Sequence, residues 1–294
     1  MLPKSGTLND YLTILSKVRN WPFTTATVLD AALDLLRRKG QQDAIDLWPD
    51  AKTVRIPVGI SLGLFPSPKI AVSRVHEAHL RGYRRIKLKI HPGMDTDTIA
   101  AVRSEFPNMI LGFDANGSGT AGDLRFFQSL ASFAPVMLEQ PFALSRLDLC
   151  QQLRQQAPEL RICLDESIAS FGDLLTAHQL RTFDEINLKP GRVGGQLETV
   201  RILHFCAKNN VAAWVGGMFE TGIGRSANLR VAALLPHAQA HDLSPGDRYY
   251  HRDVLMQPIT MDKSGTILWQ KEPPELDEAF IDEIQVQKIE LTKD

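Results

Sequence analysis

The sequence predicts an α/β fold of the (β/α)8 type, in which short strands and helices alternate around a closed parallel barrel. Between residues 85 and 190, short apolar segments that end in a charged residue recur at intervals of about 25 residues, which indicates a repeated strand-helix unit. These segments are four to six residues long and alternate with helical stretches, a pattern typical of parallel sheets. An open, doubly wound sheet is the alternative, but the glycine-rich phosphate turn expected after its first strand is missing.

The bulk properties of the chain restrict the class of protein. Its 294 residues suit an eight-unit barrel with an additional segment. The net charge of -1 gives no reason to expect a nucleic acid or a membrane as partner. Three scattered cysteines form no disulfide framework or CxxC pair, and no signal-peptide run is present. These features predict a cytoplasmic location.

Three segments are expected along the chain. Residues 1–52 carry two helices, over 9–18 and 24–39, the second with an apolar face and a glycine stop. Residues 53–249 form the barrel, and residues 250–294 form a β-hairpin, of 254–260 with 266–270, followed by a tail that packs toward the first segment. The barrel strands are predicted at 54–63, 85–90, 109–114, 136–139, 162–165, 185–189, 212–215 and 241–244. Helices are predicted at 69–81, 95–105, 124–133, 145–156, 170–180, 196–209 and 225–235.

Three carboxylates follow consecutive predicted strands, namely Asp114, Glu139 and Asp165. In a parallel barrel these side chains converge at the end where the strands finish, and their mutual repulsion would be relieved by a hard divalent cation. Oxygen ligands favour Mg²⁺, and the absence of histidine or cysteine at the equivalent positions argues against zinc. The alternative is that the three are solvated carboxylates at strand ends.

Lysines occupy the strands on either side of these acids. Lys87 and Lys89 are two residues apart and therefore face the same way, into the barrel, while Lys189 ends the sixth strand. A buried ammonium group beside another has a lowered pKa, which would make one of the pair a base near neutral pH. Two opposed lysines and a cation suit removal of a proton from the carbon next to a carboxylate. In the alternative interpretation the lysines are ion-pair partners, and Lys87 only neutralises the carboxylates.

The motifs KLKI, FDAN, LEQPF, CLDESI, NLKPGRVGG and GGMFETGIGRSAN together resemble those of the enolase superfamily. The similarity runs from about residue 20 to residue 250 and is greatest to the muconate-lactonizing-enzyme-like branch that contains o-succinylbenzoate synthases and N-acylamino-acid racemases. It implies a modified TIM barrel and a Mg²⁺ (or Mn²⁺) cofactor, with a lysine base and an enediolate intermediate. The resemblance implies these roles: metal ligands Asp114, Glu139 and Asp165; catalytic acid/base pair Lys89 and Lys189; substrate-binding residues Lys87, Asn116, Gly217 and Met218.

The same resemblance gives an expected function. The first expectation is an o-succinylbenzoate synthase, a lyase of menaquinone biosynthesis that dehydrates 2-succinyl-6-hydroxy-2,4-cyclohexadiene-1-carboxylate. The alternatives are N-acylamino-acid racemisation at the same site, or a degenerate member with little activity. The partner is expected to be a small carboxylate substrate, and assembly into a homo-oligomer is left open.

A few further residues and the start of the chain complete the expectations. Arg192 is expected either to shift the pKa of Lys189 without contacting the substrate or to form an outer salt bridge. Glu166 is expected to face away from the site and to be structural, and neither His91 nor His241 is expected to take part. Residues 1–52 are expected to be the helical remnant of a truncated α+β capping domain, without the sheet and loop that would cover the substrate.

Overall fold

The centre of the fold is a parallel sheet of seven strands arranged in sequence order. The computed structural model describes residues 8–15, 17–18, 20–39, 51–235 and 238–286. The seven strands are β2 (Gly59–Leu62), β3 (Arg85–Lys89), β4 (Leu111–Asp114), β5 (Leu138–Glu139), β6 (Ile162–Leu164), β7 (Glu185–Leu188) and β8 (Ala212–Val215). The α/β fold class predicted from the alternation is therefore confirmed.

The two edges of this sheet meet at residues 241 and 242. His241 forms a parallel bridge with Val58, which precedes β2, and Asp242 forms one with Gly216, which follows β8. The backbone N–H of Gly59 donates to the carbonyl of His241 at 2.7 Å. This short segment takes the eighth place in the barrel, where the sequence predicts the last strand.

Helices connect the strands as predicted, and two of them begin with a serine N-cap. Ser67 caps one helix by accepting from Ile70 N–H, and Ser170 caps another by accepting from Asp173 N–H. Within the residues described, no helix is both long and apolar enough to cross a membrane. The helices that follow the strands are α3 (Pro68–Leu80), α4 (Asp97–Glu105), α5 (Leu124–Ser129), α6 (Leu147–Gln156), α7 (Phe171–Gln179), α8 (Pro190–Val193), α9 (Gln196–Lys208) and α10 (Gly222–Ala232).

The helices before the barrel pack against it through one face. These are α1 (Leu8–Leu15) and α2 (Pro22–Arg38), close to the predicted ranges. Leu29, Leu33 and Leu36 of α2 are buried in a cluster that also contacts Leu197 of α9. The carboxylate of Asp30 accepts from the N–H of Gln196 at 3.1 Å, so α2 is also held at the start of α9.

Two predictions about strands are wrong. The first predicted strand, 54–63, is divided at Val58 into β1 (Thr53–Pro57) and β2, and the predicted hairpin does not form. Instead β9 (Thr266–Gln270) pairs antiparallel with β1, while 254–260 carries only a bridge from Leu255 to Leu276. This pairing buries Ile267 and Trp269 in the barrel core, which explains why a partner distant in sequence is preferred over the local one. A last helix, α11 (Glu278–Ile284), was not predicted, and the division of the chain at residues 52 and 249 stays a prediction.

The strands separate apolar and polar side chains between the two faces of the barrel wall. On β3, Ile86 and Leu88 belong to the main hydrophobic core. The alternate residues Arg85 and Lys87 are also buried, but they contact carboxylates and an aromatic ring rather than the aliphatic core. This period of two places charged groups inside the barrel and gives the candidate site its position.

Candidate active site

The register of β3, β4 and β5 places the predicted site residues of these strands side by side, at the same height in the barrel. Lys89 is the register partner of Asp114, and Asp114 is the partner of Glu139. Asp165 comes directly after β6, two residues beyond Cys163, which is the register partner of Glu139. The side chains of Asp114, Glu139 and Asp165 are all at most 2% exposed. The carboxylates therefore lie inside the barrel and are not solvated groups at strand ends.

Lys87 is enclosed by acids. Its Nζ lies 2.6 Å from Glu139, 3.0 Å from Asp242 and 3.5 Å from Asp114. Burial alone would lower the pKa of Lys87, but the charges of Asp242, Glu139 and Asp114 outweigh it and raise the pKa well above its usual value. The idea that two adjacent lysines depress one another is wrong for Lys87. Its ammonium is kept charged, as in the alternative that it neutralises the carboxylates.

For Glu139, in contrast to Lys87, the surroundings favour the uncharged form of the side chain. Burial raises the pKa of Glu139, the charge of Lys87 lowers it, and the charges of Asp114 and Asp165 raise it, which together place the pKa at about 8. Its Oε1 accepts from Asn187 Nδ2 at 2.9 Å, and its Oε2 contacts Lys87. Asn187 needs the space left by Gly216, since a Cβ there would stand 2.1 Å from Asn187 Oδ1.

Lys89 is more accessible than Lys87 and is held by a different set of groups. Its Nζ lies 2.7 Å from Asp114 Oδ2 and also contacts Asn116 Oδ1. The amide of Asn116 in turn donates to Glu166 Oε1 at 2.9 Å. The Lys89 side chain is 32% exposed, whereas that of Lys87 is 4% exposed. Of these two lysines, Lys89 is thus the one that a substrate can reach.

Lys189 lies at the end of β7 and pairs with a different carboxylate. Its Nζ is 2.7 Å from Asp165 Oδ2, while Arg192 contacts Asp165 Oδ1. Burial raises the pKa of Asp165, but Lys189 and Arg192 have a larger opposite effect, so the pKa falls below its usual value. Arg192, on α8, forms an inner rather than an outer salt bridge, and it acts on Asp165 directly.

The donor set fits a hard cation, although each acid is now paired with nitrogen donors. Within the residues that the structure describes, no three histidine, cysteine, aspartate or glutamate side chains are grouped as a metal site. Asp114, Glu139 and Asp165 nevertheless supply buried carboxylate oxygens from three adjacent strands. Burial is the main cause of the raised pKa of Glu139, and the charges of Asp114 and Asp165 add to it; a divalent cation beside the carboxylate would favour its ionised form and oppose both effects. These three residues are the ones that could hold it.

The loop after β8 presents side chains to the cavity, and its N–H groups are already used. Gly217 N–H donates to the carbonyl of Asp242, and Met218 N–H donates to Glu220 Oε1 at 2.7 Å. Arg225 secures the loop by donating to the Met218 carbonyl at 3.0 Å. Gly217 and Met218 were predicted as substrate-binding residues because the backbone of such a segment lies against the substrate. In this structure the segment offers the exposed side chains of Met218 and Phe219 instead.

Two cavities adjoin the two lysines predicted to be catalytic, Lys89 and Lys189. One of about 620 Å³ lies between α2 and the loop after β8, and its lining includes Lys189, Met218 and Phe219. The other, of about 360 Å³, lies beside Lys89 between the loops that follow β2 and β3. Cavities of a few hundred Å³ are the size of small-molecule sites. The structure therefore leaves space beside each of the two lysines.

Sequence reasoning missed three residues of this network. Asp242 was overlooked beside His241, because the closing segment makes only single bridges and is too short to show alternation. Asn187 lies two residues before Lys189 and shares its face, which was a usable signal. Glu166 was expected to face away, but β6 ends at Leu164 and strand alternation does not continue past it.

His241 does not belong to the site, in agreement with the expectation. Burial lowers the pKa of His241 to about 3, and nearby Arg85 lowers it further. Its Nδ1 accepts from Val215 N–H at 2.9 Å, so the neutral ring carries its proton on Nε2. His91 contacts the carbonyl of Pro92 next to it and none of the acids named above.

The barrel fold agrees with the family comparison. Residues 71–273 match the family described as "Enolase C-terminal domain-like". The chain belongs to the enolase superfamily, in the branch of o-succinylbenzoate synthases and N-succinylamino acid racemases.

Individual relatives show how far the similarity extends. An o-succinylbenzoate synthase of Enterococcus faecalis is 37% identical over 87% of this chain and 69% of its own length. An N-succinylamino acid racemase of Amycolatopsis sp is 38% identical over 68% of this chain and 54% of its own. The chain spans between 53% and 58% of four further synthases. A solved structure titled probable mandelate racemase, from Alicyclobacillus acidocaldarius, has a TM-score of 0.87 at 32% identity, covering 97% of this chain and 74% of that one.

Proposed function

We propose that this chain is an o-succinylbenzoate synthase, which removes water from 2-succinyl-6-hydroxy-2,4-cyclohexadiene-1-carboxylate to give 2-succinylbenzoate. The observation that carries the proposal is the pair of lysines, each bound to its own buried carboxylate: Lys89 to Asp114 and Lys189 to Asp165. Five synthases at 35–41% identity support the choice of reaction.

Asp114, Glu139 and Asp165 are the residues that would hold a divalent cation. Enzymes of the enolase superfamily use such a metal. When bound, it supplies positive charge against the substrate carboxylate and so favours loss of the proton from the adjacent carbon. Lys87, held charged between Glu139 and Asp242, adds fixed positive charge on the same side of the barrel.

Lys89 carries the proton in this proposal. As the neutral amine it breaks the C–H bond next to the carboxylate, and the electron pair enters the enediolate. The ring C–O bond then breaks, and Lys89 returns the proton to the departing hydroxyl on the same face. One water leaves, the ring becomes aromatic, and Lys89 is again neutral. Lys189 remains charged and stabilises the enediolate.

A second candidate is racemisation of N-succinylamino acids. Two racemases are 37–38% identical to the chain, about as similar as the synthases. In this reaction one lysine removes the α-proton and the other delivers a proton to the opposite face. Both lysines contact carboxylates at 2.7 Å, so either can be held as a proton donor.

Steady-state assays with both substrates in the presence of Mg²⁺ test the proposal. We expect dehydration with a higher kcat/KM than racemisation. Racemisation without dehydration would favour the second candidate. Absence of both reactions from a folded chain, checked by circular dichroism, would favour the expectation of a degenerate member.

A further inference from the structure

Glu166 reaches the reactive lysine through one intermediate residue. Its Oε1 accepts from Asn116 Nδ2 at 2.9 Å, and Asn116 Oδ1 contacts Lys89 Nζ. The other oxygen, Oε2, is buried and has no hydrogen-bond partner among the described residues. A buried carboxylate oxygen without a partner is costly, so a gain in stability does not explain a glutamate at this position.

The chemistry of the two neighbours fixes the direction of the Asn116 amide. An ionised carboxylate only accepts hydrogen bonds, so Glu166 has to face the amide NH₂. Lys89 Nζ donates to the amide oxygen, and once Lys89 holds the abstracted proton as an ammonium group it can only donate. The main chain of Asn116 is fixed as well, with φ of 44° and its N–H donating to Asp114 Oδ1 at 3.0 Å. Without Glu166 the amide could turn over and direct its NH₂ at Lys89.

We propose that Glu166 is a positioning residue that orients Asn116 and thereby holds the Lys89 amine at the substrate. The proposal rests on the proposed function, because it assigns Lys89 a role in proton transfer. Lys189 takes no part in this chain of contacts; its Nζ donates to Oδ2 of Asp165, and Arg192 donates to Oδ1 of the same carboxylate. The two lysines are therefore oriented by separate groups, and loss of Glu166 is expected to affect only one of them.

The test compares Glu166→Ala with Glu166→Gln. Alanine removes the acceptor for Asn116, whereas glutamine keeps an amide oxygen that can accept but removes the charge. The readout is exchange of the α-proton with D₂O, measured by NMR for each enantiomer of an N-succinylamino acid. The enantiomer whose exchange is lost in Lys89→Ala identifies the face that Lys89 serves. The matched control is Glu159→Ala, which removes an exposed glutamate after α6.

Glu166→Ala is expected to slow exchange of the Lys89-facing enantiomer about tenfold to hundredfold, since small displacements of a reacting group cost this much. Exchange of the other enantiomer should change less than about threefold, and Glu166→Gln should recover most of the loss. In the dehydration reaction Glu166→Ala should lower kcat with little change in KM. Equal slowing of both enantiomers, or a glutamine variant as slow as alanine, would overturn the proposal.

An independent measurement separates this inference from the proposed function. The side-chain NH₂ resonances of Asn116, assigned by their loss in Asn116→Asp, should be protected from solvent exchange in the original chain and in Glu166→Gln, but not in Glu166→Ala. Unchanged resonances in Glu166→Ala would refute the positioning role whatever the enzyme catalyses. An original chain that neither dehydrates nor exchanges would refute the proposed function, while these resonances would still decide the role of Glu166.

Discussion

The ammonium of Lys87 lies 3.0 Å from Oδ2 of Asp242, so a buried ion pair joins β3 to the segment that closes the barrel. Asp242 also pairs with Arg85 at 3.1 Å and accepts from Ser61 at 3.2 Å. The carboxylate has room because residue 59 is a glycine, whose Cβ would stand 2.9 Å from Asp242 Oδ1. Asp242 is thus the counter-charge for two buried cations.

Asp242→Ala should strongly destabilise the protein. Removing one partner of a buried ion pair costs about 3–5 kcal/mol, because the remaining charges have no compensation. The control is Asp247→Ala, which breaks an exposed pair with Arg81 and should cost less than about 1 kcal/mol. Urea unfolding at pH 7 measures both. Equal losses in the two variants would contradict the assigned role of Asp242.

Gly216→Ala should disturb the site through Asn187. The added methyl would approach Asn187 Oδ1 to 2.1 Å and displace the amide from Glu139. Overpacking of this kind costs about 1–3 kcal/mol, and we expect activity to fall along with stability. Gly63→Ala is the control, because no atom lies within 4 Å of its added Cβ. A Gly216→Ala protein with unchanged unfolding and activity would show that the hydrogen bond from Asn187 to Glu139 contributes to neither.

Asp30 should make stability depend on pH. Burial raises the pKa of Asp30 from 3.8 to about 6, partly opposed by hydrogen bonds from Gln196 and the charge of Arg230. Between about pH 4 and pH 6 the folded state therefore binds more protons than the unfolded state, and stability falls as pH rises through this window. Asp30→Asn should remove this contribution and, since the side chain is partly exposed, gain roughly 1–2 kcal/mol at pH 7. Urea unfolding at pH 4.5 and pH 7 measures the free energy of unfolding of both proteins. If that free energy changes with pH as much in Asp30→Asn as in the original chain, the prediction is refuted.

The barrel and most of the candidate site could be predicted because their signals are local. A strand shows its buried face by a period of two, and the repeat of about 25 residues identifies successive strands, so Lys87, Asp114 and Glu139 could be placed together. Electrostatics could not be predicted in this way. The charge state of Lys87 depends on Asp242, which is far along the chain and belongs to a strand too short to show periodicity.

The remaining errors have similar physical causes. The partner of β9 is β1, and no local turn signal reveals a pairing between strands so far apart in the sequence. The orientation of Glu166 depends on where β6 ends, and boundaries are the least certain part of a sequence-based prediction. Both features are set by tertiary contacts, which override local preference.

The assignment of metal ligands predicts a loss of Mg²⁺ affinity in Asp165→Asn. The substitution keeps the shape of the side chain but removes the negative charge that a hard cation prefers, and it leaves Lys189 and Arg192 without their shared counter-charge. We expect the Kd for Mg²⁺ to rise about tenfold or more in isothermal titration calorimetry. Asp148→Asn, which alters an exposed pair with Arg146, should bind as the original does. An unchanged titration of Asp165→Asn would remove Asp165 from the ligand set.

Substitution of Lys89 or Lys189 should affect catalysis without preventing metal binding. Lys89→Ala and Lys189→Ala should each reduce kcat about 10²–10⁴-fold, because each removes a proton carrier or a charge next to the enediolate. Mg²⁺ should still bind, since the carboxylates of Asp114 and Asp165 remain and lose only an ammonium competitor. Lys208→Ala, at the exposed end of α9, serves as the control and should retain full turnover. Initial rates at saturating Mg²⁺ and the calorimetric Kd distinguish the cases. Normal turnover in Lys89→Ala would exclude Lys89 as the base. A variant that loses both turnover and Mg²⁺ binding would assign its lysine to the metal site instead of to proton transfer.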